Sequence, residues 1–565
     1  MKLILKQYLA SLKERSELDA ILPDLLSQMG INVYARPIRG ANEYGVDVAA
    51  VGRIGSDVEK VYLFSIKSGN LTRFTWHGGE NQALRPSLES IIDSYIPTRL
   101  PPEHRNKPIV ICMCFGGDIQ TTVRQEVTGF TKRNSTGSLS FEEWNGDKLS
   151  DLILEHLLKE ELLPDNWQSM LRRSLALLDE PSASHVHFKK LIRAIIKNAE
   201  GEDFIVKALN RINLCLWVLF SWCRDGDNLE SAYLSAEFSL LNAWEITKGH
   251  KAKKVYKAYD SLLDTYQAIT DEFVDKCLIP YVGKRHAVSQ AVSSPCSIGV
   301  NLKLFDFLGR LAIKGQWLLF ELTKAYTLNP PDDGENDEQE SLSVRLETIT
   351  KSINQLVINN PLLLSPYTDE QAIDLTLALH LLSQNSEYDK FVVSWLDALV
   401  ERITFAYVVE GMYPTNLNSY KQLLEHRDKD NNDEAYKHNV TKGSILYPVL
   451  AVFSAFHNAE LASKNILTHS NEKLTHCTLQ YWYPNQSSEE FLYTNANTHG
   501  AASTSFEMDS VKVIKHVTNE CSNSNFFWQL SAVEKGYSPL VLLACRYYRY
   551  PVPFHFLSDL ISHKS

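Results

Sequence analysis

Gly45-Val46-Asp47-Val48-Ala49-Ala50, followed after a short polar turn by Val61-Tyr62-Leu63-Phe64-Ser65-Ile66-Lys67, decides how the amino-terminal part of this chain is read. Both runs are rich in β-branched and aromatic residues and are bounded by glycine and polar residues, the pattern of two antiparallel strands. Asp47 falls in the middle of the first. Ser65 and Lys67 are two residues apart in the second and therefore share one face of it. Gly45 lets the loop before the aspartate come close to its neighbours.

Working outward, the spacing predicts an amphipathic helix over residues 1–15 and a second from Ser16 to Met29, closed by Gly30, which Pro23 either kinks or restarts. Ile31 to Ala35 alternates as a strand does. A helix is expected over Pro86 to Tyr95. The continuous apolar run from Pro108 to Phe115 asks for a strand buried on both faces, as in a sheet covered by helices. Ser138 to Trp144 reads as another strand, and Asp147 to Leu163 as a helix stopped by Pro164.

Beyond residue 165 helical periods dominate, among them Phe204 to Cys223, Ile445 to Ala462 and Pro539 to Tyr548. Asp332 to Glu340 and His426 to Asn439 read as polar loops, and Thr478 to Tyr483 and Val511 to Val517 as strands. The expected fold is multidomain: an α/β domain over 1–164, a helical domain over 165–330, and a second helical region over 341–565 with a small β element, the helices forming a bundle or solenoid.

The 565 residues exceed what a single core holds, and 44% apolar with 22% charged residues is an ordinary globular balance. The net charge of −11 lies almost wholly outside the first 164 residues, which carry 19 basic and 21 acidic side chains. An acidic body excludes indiscriminate coating of nucleic acid, so any such contact is local. Nine scattered cysteines without zinc spacing read as reduced, buried thiols. Met1 to Leu12 lacks the apolar core of a signal peptide, and apolar runs such as Leu214 to Trp222 fall short of a bilayer span. A cytoplasmic protein without a membrane partner is expected.

Phosphodiester cleavage assisted by a metal needs a carboxylate to hold the ion, a second oxygen ligand beside it and a cation for the developing charge. Asp47, Ser65 and Lys67 on neighbouring strands have that arrangement. Here the sequence resembles the PD-(D/E)xK nucleases, the restriction-endonuclease-like superfamily, in its Mrr-type branch. The likeness runs through Leu25-Leu26-Ser27-Gln28-Met29-Gly30-Ile31-Asn32-Val33, Gly45-Val46-Asp47-Val48 and Phe64-Ser65-Ile66-Lys67, and extends to Trp144-Asn145-Gly146-Asp147-Lys148-Leu149. It covers about 160 residues.

The resemblance implies Asp47 as principal metal ligand, Lys67 as catalytic lysine and Mg²⁺ or Mn²⁺ as cofactor. A helix acid completes the family's set, either Asp19, whose spacing to Leu25-Leu26 is better, or Glu17. Asp19 also fits a capping box begun by Ser16. Ser65 departs from the family, which usually has Glu, Asp or Gln there. Either a nearby acid such as Glu43 or Glu80 substitutes, or substrate phosphate completes the site.

Arg36, Arg39 and Arg73 flank these strands and are candidate phosphate contacts. Trp76 to Gln82 reads as a glycine-broken loop beside the site, and His250 to Lys257 is the densest basic cluster elsewhere. No phosphate-binding GxxxxGK[ST] and no GxSxG elbow is present. The expectation is a metal-dependent endonuclease acting on DNA, an effector of antiphage defence, with the helical body sensing a trigger or binding a protein partner and the whole a homo-oligomer. The alternative is a decayed nuclease fold serving as a helical scaffold. A modification-specific restriction enzyme is disfavoured by the acidic body.

Overall fold

The computed structural model describes residues 2, 6, 9, 10, 12, 18–36, 44–54, 58–78, 83–157, 165–197, 199, 201–328, 337–410, 412–429, 433–494, 502, 503 and 510–558. The chain forms two compact units, Met1–Ser239 with His250–Thr265, and Leu240–Gly249 with Tyr266–Ser565. The first contains the whole expected α/β segment together with helices that follow it.

In the first unit, α1 (Asp19–Gln28) runs through Pro23 and leads into β1 (Asn32–Ala35). β2 (Val48–Gly52) and β3 (Lys60–Lys67) follow, then α2 (Arg73–His77) and α3 (Leu84–Ser90). β4 (Ile109–Phe115), α4 (Thr121–Asn134), β5 (Leu139–Trp144) and α5 (Gly146–Leu152) complete the α/β part. The strands make one five-stranded sheet in chain order, antiparallel from β1 to β3 and parallel from β3 to β5. Parallel neighbours need crossovers, which α2 with α3 and then α4 supply.

The two faces of the sheet follow from alternation along the strands. Ala49, Val51, Leu63, Ile111, Met113 and Phe115 pack in one cluster with Trp76 of α2, Leu84 and Leu88 of α3, and Val123, Val127 and Phe130 of α4. From the other face Phe64 meets Trp144 edge-on. Every residue of β4 is buried, as its unbroken apolar run requires. Trp76, expected in a loop, is a fully buried core residue, because Thr72 caps a short helix that carries it inward.

Further helices in this unit include α6 (Asp165–Ala176), α7 (Pro181–Lys197) and α8 (Glu202–Asp225). By length and composition α8 could cross a membrane, which the shorter run from Leu214 to Trp222 did not suggest, although two thirds of its apolar window is buried inside the fold. His185 on α7 shares a hydrogen bond with Ser235, and burial lowers its pKa to about 3. It is therefore a neutral packing residue.

The second unit is built around α9 (Ser297–Leu328), which packs against α10 (Asp337–Asn359) and α11 (Gln371–Leu382). α12 (Asp389–Phe405), α13 (Leu446–Phe456), α14 (Glu460–Lys473), α15 (Ser510–Asn523) and α16 (Pro539–Tyr548) follow. A small three-stranded sheet is formed by Gly443–Ser444, Thr478–Tyr481 and Ala502–Ser503.

Four expectations are corrected here. Ile445 to Ala462 is two helices, broken where Asn458 takes a positive φ of 55°. Val511 to Val517 lies in a helix, not a strand, because Val513, Val517 and Cys521 recur every four residues as its buried stripe. His426 to Asn439 includes the helix Glu434–Val440, started by the Asp433 side chain accepting from Tyr436 N–H. The acidic run from residue 332 becomes helical at Asp337, its carboxylates lying at the positive end of the helix dipole, and residues 332–336 lie outside those described.

Asp369 is buried and accepts from Ser444 Oγ and from the N–H groups of Ile445 and Leu446. Burial still pushes its pKa up to about 6, well above the ordinary carboxylate range. The folded state thus holds this proton more tightly than the unfolded chain, so the group's contribution is most favourable below about pH 4 and is lost as pH rises through about 6. Melting curves across that window should show Asp369→Asn losing a pH dependence worth about 3 kcal/mol relative to wild type. An identical slope in both proteins would contradict the assignment.

Candidate functional site

Asp47 does not lie mid-strand. It occupies the bend just before β2, where its own N–H donates to Phe64 O at 2.8 Å and its Oδ2 accepts from Ile66 N–H at 2.7 Å. The carboxylate therefore takes a ladder position that a backbone carbonyl would otherwise fill, and it is fixed against β3 by the chain itself. Gly45 makes this bend possible. Its φ is +82°, and a Cβ there would stand 2.3 Å from the carbonyl oxygen of Ser87.

Val48 opposes Phe64 in the β2–β3 ladder, so one step further sets Asp47 against Ser65. On the other side Ser65 pairs with Met113 and Lys67 with Phe115. Lys67 closes β3 and is only 7% exposed. Ser65 shares the face of Leu63 and Met113, the helix-covered side, and its hydroxyl is completely buried without a hydrogen-bond partner. The structure thus brings Asp47, Ser65 and Lys67 to adjoining strand positions.

An orphaned buried hydroxyl carries a desolvation penalty that no partner offsets. Ser65→Ala is accordingly expected to leave stability unchanged or to raise it by up to about 1 kcal/mol, read from chemical denaturation of the purified protein. A loss of more than that would show a partner for the hydroxyl. Loss of activity without loss of stability would mark the hydroxyl as chemical.

Asp19 opens α1 and is half-buried, with no side-chain capping bond from Leu18 at the preceding position. Glu17, Arg39, Glu43 and Glu80 lie outside the described residues. Arg36 is exposed and 3.7 Å from Asp24, and Arg73 is exposed and 3.8 Å from Glu126, which His77 also contacts. Each of these two arginines already faces a carboxylate. In the basic cluster after His250, Lys254 pairs with Asp203 at 2.7 Å and with Glu202 at 3.4 Å.

The carboxyl ends of β4 and β5 hold a feature that the sequence reading missed. Lys6 Nζ stands 3.0 Å from both Asp118 and Asp147, and Lys2 is 2.7 Å from Asp151. Lys6 and Lys2 are four apart in sequence, the spacing of one helical turn, and that spacing was the available signal. The Lys6 ammonium holds the Asp147 carboxyl below its usual range.

No family model, curated protein or solved structure matches this chain. The fold and the side chains therefore carry the functional argument alone. Among the described residues no three His, Cys, Asp or Glu side chains cluster as a metal site requires. At the Asp47 end they supply one carboxylate and one buried hydroxyl, which do not by themselves fit a divalent ion.

Proposed function

We propose that the amino-terminal unit is a nuclease of the restriction-endonuclease-like type, hydrolysing phosphodiester bonds of DNA, as an effector of antiphage defence. The single observation that supports this reading best is the bond from Ile66 N–H to Asp47 Oδ2, which locks an acid at the entry of β2 against β3, the strand that Lys67 ends. The sheet order is that of a meander followed by parallel crossovers, consistent with the fold the sequence resembles. In this reading the Lys67 ammonium, held in a nearly closed position, neutralises charge gathering on a phosphate oxygen. Asp47 fixes the geometry around it.

A second reading, a non-catalytic scaffold whose helical body binds a protein, is favoured by the incomplete metal set around Ser65. Incubation of the full chain with supercoiled plasmid, single-stranded DNA and RNA, each with Mg²⁺, Mn²⁺ or chelator, separates the two. Metal-dependent nicking of DNA is the expected result. No cleavage of any substrate under any condition would favour the scaffold.

A further inference from the structure

In the second unit a cavity of about 360 Å³ opens among His286, Leu304, Leu362, Arg402, Phe405 and Met412. That volume suits a small organic molecule. Leu304, Leu362, Met412 and Phe405, the last 49% exposed, give it apolar lining. Arg402 and His286 line it as well.

These basic groups are uncompensated. Among the described residues the side chains of Arg402 and His286 have no hydrogen-bond or ion-pair partner. Elsewhere in the same unit buried or half-buried cations are paired, as Arg310 and Arg546 are with Asp306 and Arg549 with Asp374. In a chain of net charge −11, a cavity lined by Arg402 and His286 with no carboxylate among its lining residues is an arrangement that an anion would complete.

The walls are preformed. Asn301, fully buried, donates to Leu362 O at 3.1 Å and to Ser365 O at 2.8 Å. Gln371 donates to Asn301 Oδ1 at 2.8 Å while its Oε1 accepts from Tyr367 N–H at 2.7 Å. This buried amide relay fixes the loop that forms one side of the cavity. His286 has a φ of +60°, unusual for a residue with a Cβ, and its N–H is tied to Asn359 O at 2.9 Å. Backbone held in a sparsely populated region concentrates at ligand sites.

We propose that this cavity binds a small organic anion, with its phosphate, sulfonate or carboxylate group on Arg402 and His286 and an aromatic or aliphatic body against Phe405, Leu304 and Leu362. The guanidinium fork suits two oxygens of such a group, and the exposed Phe405 ring offers a stacking surface at the mouth. The inference is independent of the nuclease reading.

The test uses anilinonaphthalene sulfonate, an aromatic anion that fluoresces on entering an apolar site, with the full chain, and phenyl phosphate and phenol as competitors. Saturable binding is expected, displaced by phenyl phosphate and not by phenol. Arg402→Ala and Phe405→Ala should each weaken binding at least about tenfold. Both residues are exposed, so unchanged melting curves will confirm that the variants are folded, and Lys464→Ala on α14 serves as a control expected to bind as wild type. Absence of saturable binding, equal displacement by phenol, or unchanged affinity in Arg402→Ala would each overturn the proposal.

Discussion

Asp47→Ala is expected to lower DNA cleavage by at least about 10²-fold and to destabilise the amino-terminal unit by about 1–3 kcal/mol at the same time. The two effects have one origin. Asp47 Oδ2 accepts from Ile66 N–H at 2.7 Å, and Ile66 is fully buried within β3. Truncation leaves that amide without its acceptor, and an unpaired buried donor carries the full desolvation penalty. Asp47→Asn separates the roles, because an amide oxygen still accepts from Ile66 while the charge is gone. That variant should melt close to wild type and still fail to cleave. If Asp47→Asn cleaves as wild type does, the carboxylate is a structural plug in the ladder and not part of a site.

The second large effect belongs to the helical unit. Asp374 on α11 is 1% exposed and receives Arg549 Nη2 at 2.9 Å and Nη1 at 3.3 Å. Arg549 also donates to Glu370 O at 2.7 Å. Nearby, burial alone would raise the carboxyl of Asp306, yet Arg310, Lys303 and Arg546 hold it far below the usual range. Removing one member of such a buried network strands the charge opposite it. Arg549 keeps 32% of its side-chain exposure, so Asp374→Ala is expected to cost about 2–3 kcal/mol, measured by denaturant unfolding of the full chain. Replacing Asp374 and Arg549 together by apolar residues of similar volume should cost much less than Asp374→Ala alone. A loss below about 1 kcal/mol for Asp374→Ala would show that the pair is not carrying Arg549.

The α/β part was legible because its signals are local. The unbroken apolar run ending at Phe115 could only be a strand covered on both faces, and it is. The β-branched and aromatic run from Val61 to Lys67 marked β3, and the two-residue spacing set Ser65 and Lys67 on one face. Details governed by non-local contacts were not legible. The position of Asp47 in a bend depends on a hydrogen bond to a residue nineteen places away. The burial of Ser65 depends on helices α2 to α4 closing over Leu63 and Met113. Trp76 sits beside glycines that suggest a loop, but capping by Thr72 turns it into the core.

In the helical unit periodicity located most elements and failed at breaks. A single residue with positive φ, Asn458, divides the stretch from Ile445 to Ala462 within the short polar step His457-Asn458-Ala459-Glu460. The stretch around Val513 has β-branched residues that favour a strand, and packing of one face every fourth residue overrides that preference. The cavity near Arg402 could not be read at all, since its residues come from four separate segments between His286 and Met412.

Nicking of supercoiled plasmid by wild type and by Lys67→Ala, both shown to be folded and both assayed with Mg²⁺ and with Mn²⁺, bears most directly on the claim that Asp47 and Lys67 form a nuclease site. Wild type should nick DNA in the presence of metal, and Lys67→Ala should be slower by at least about 10²-fold. Equal rates in the two proteins would contradict the account.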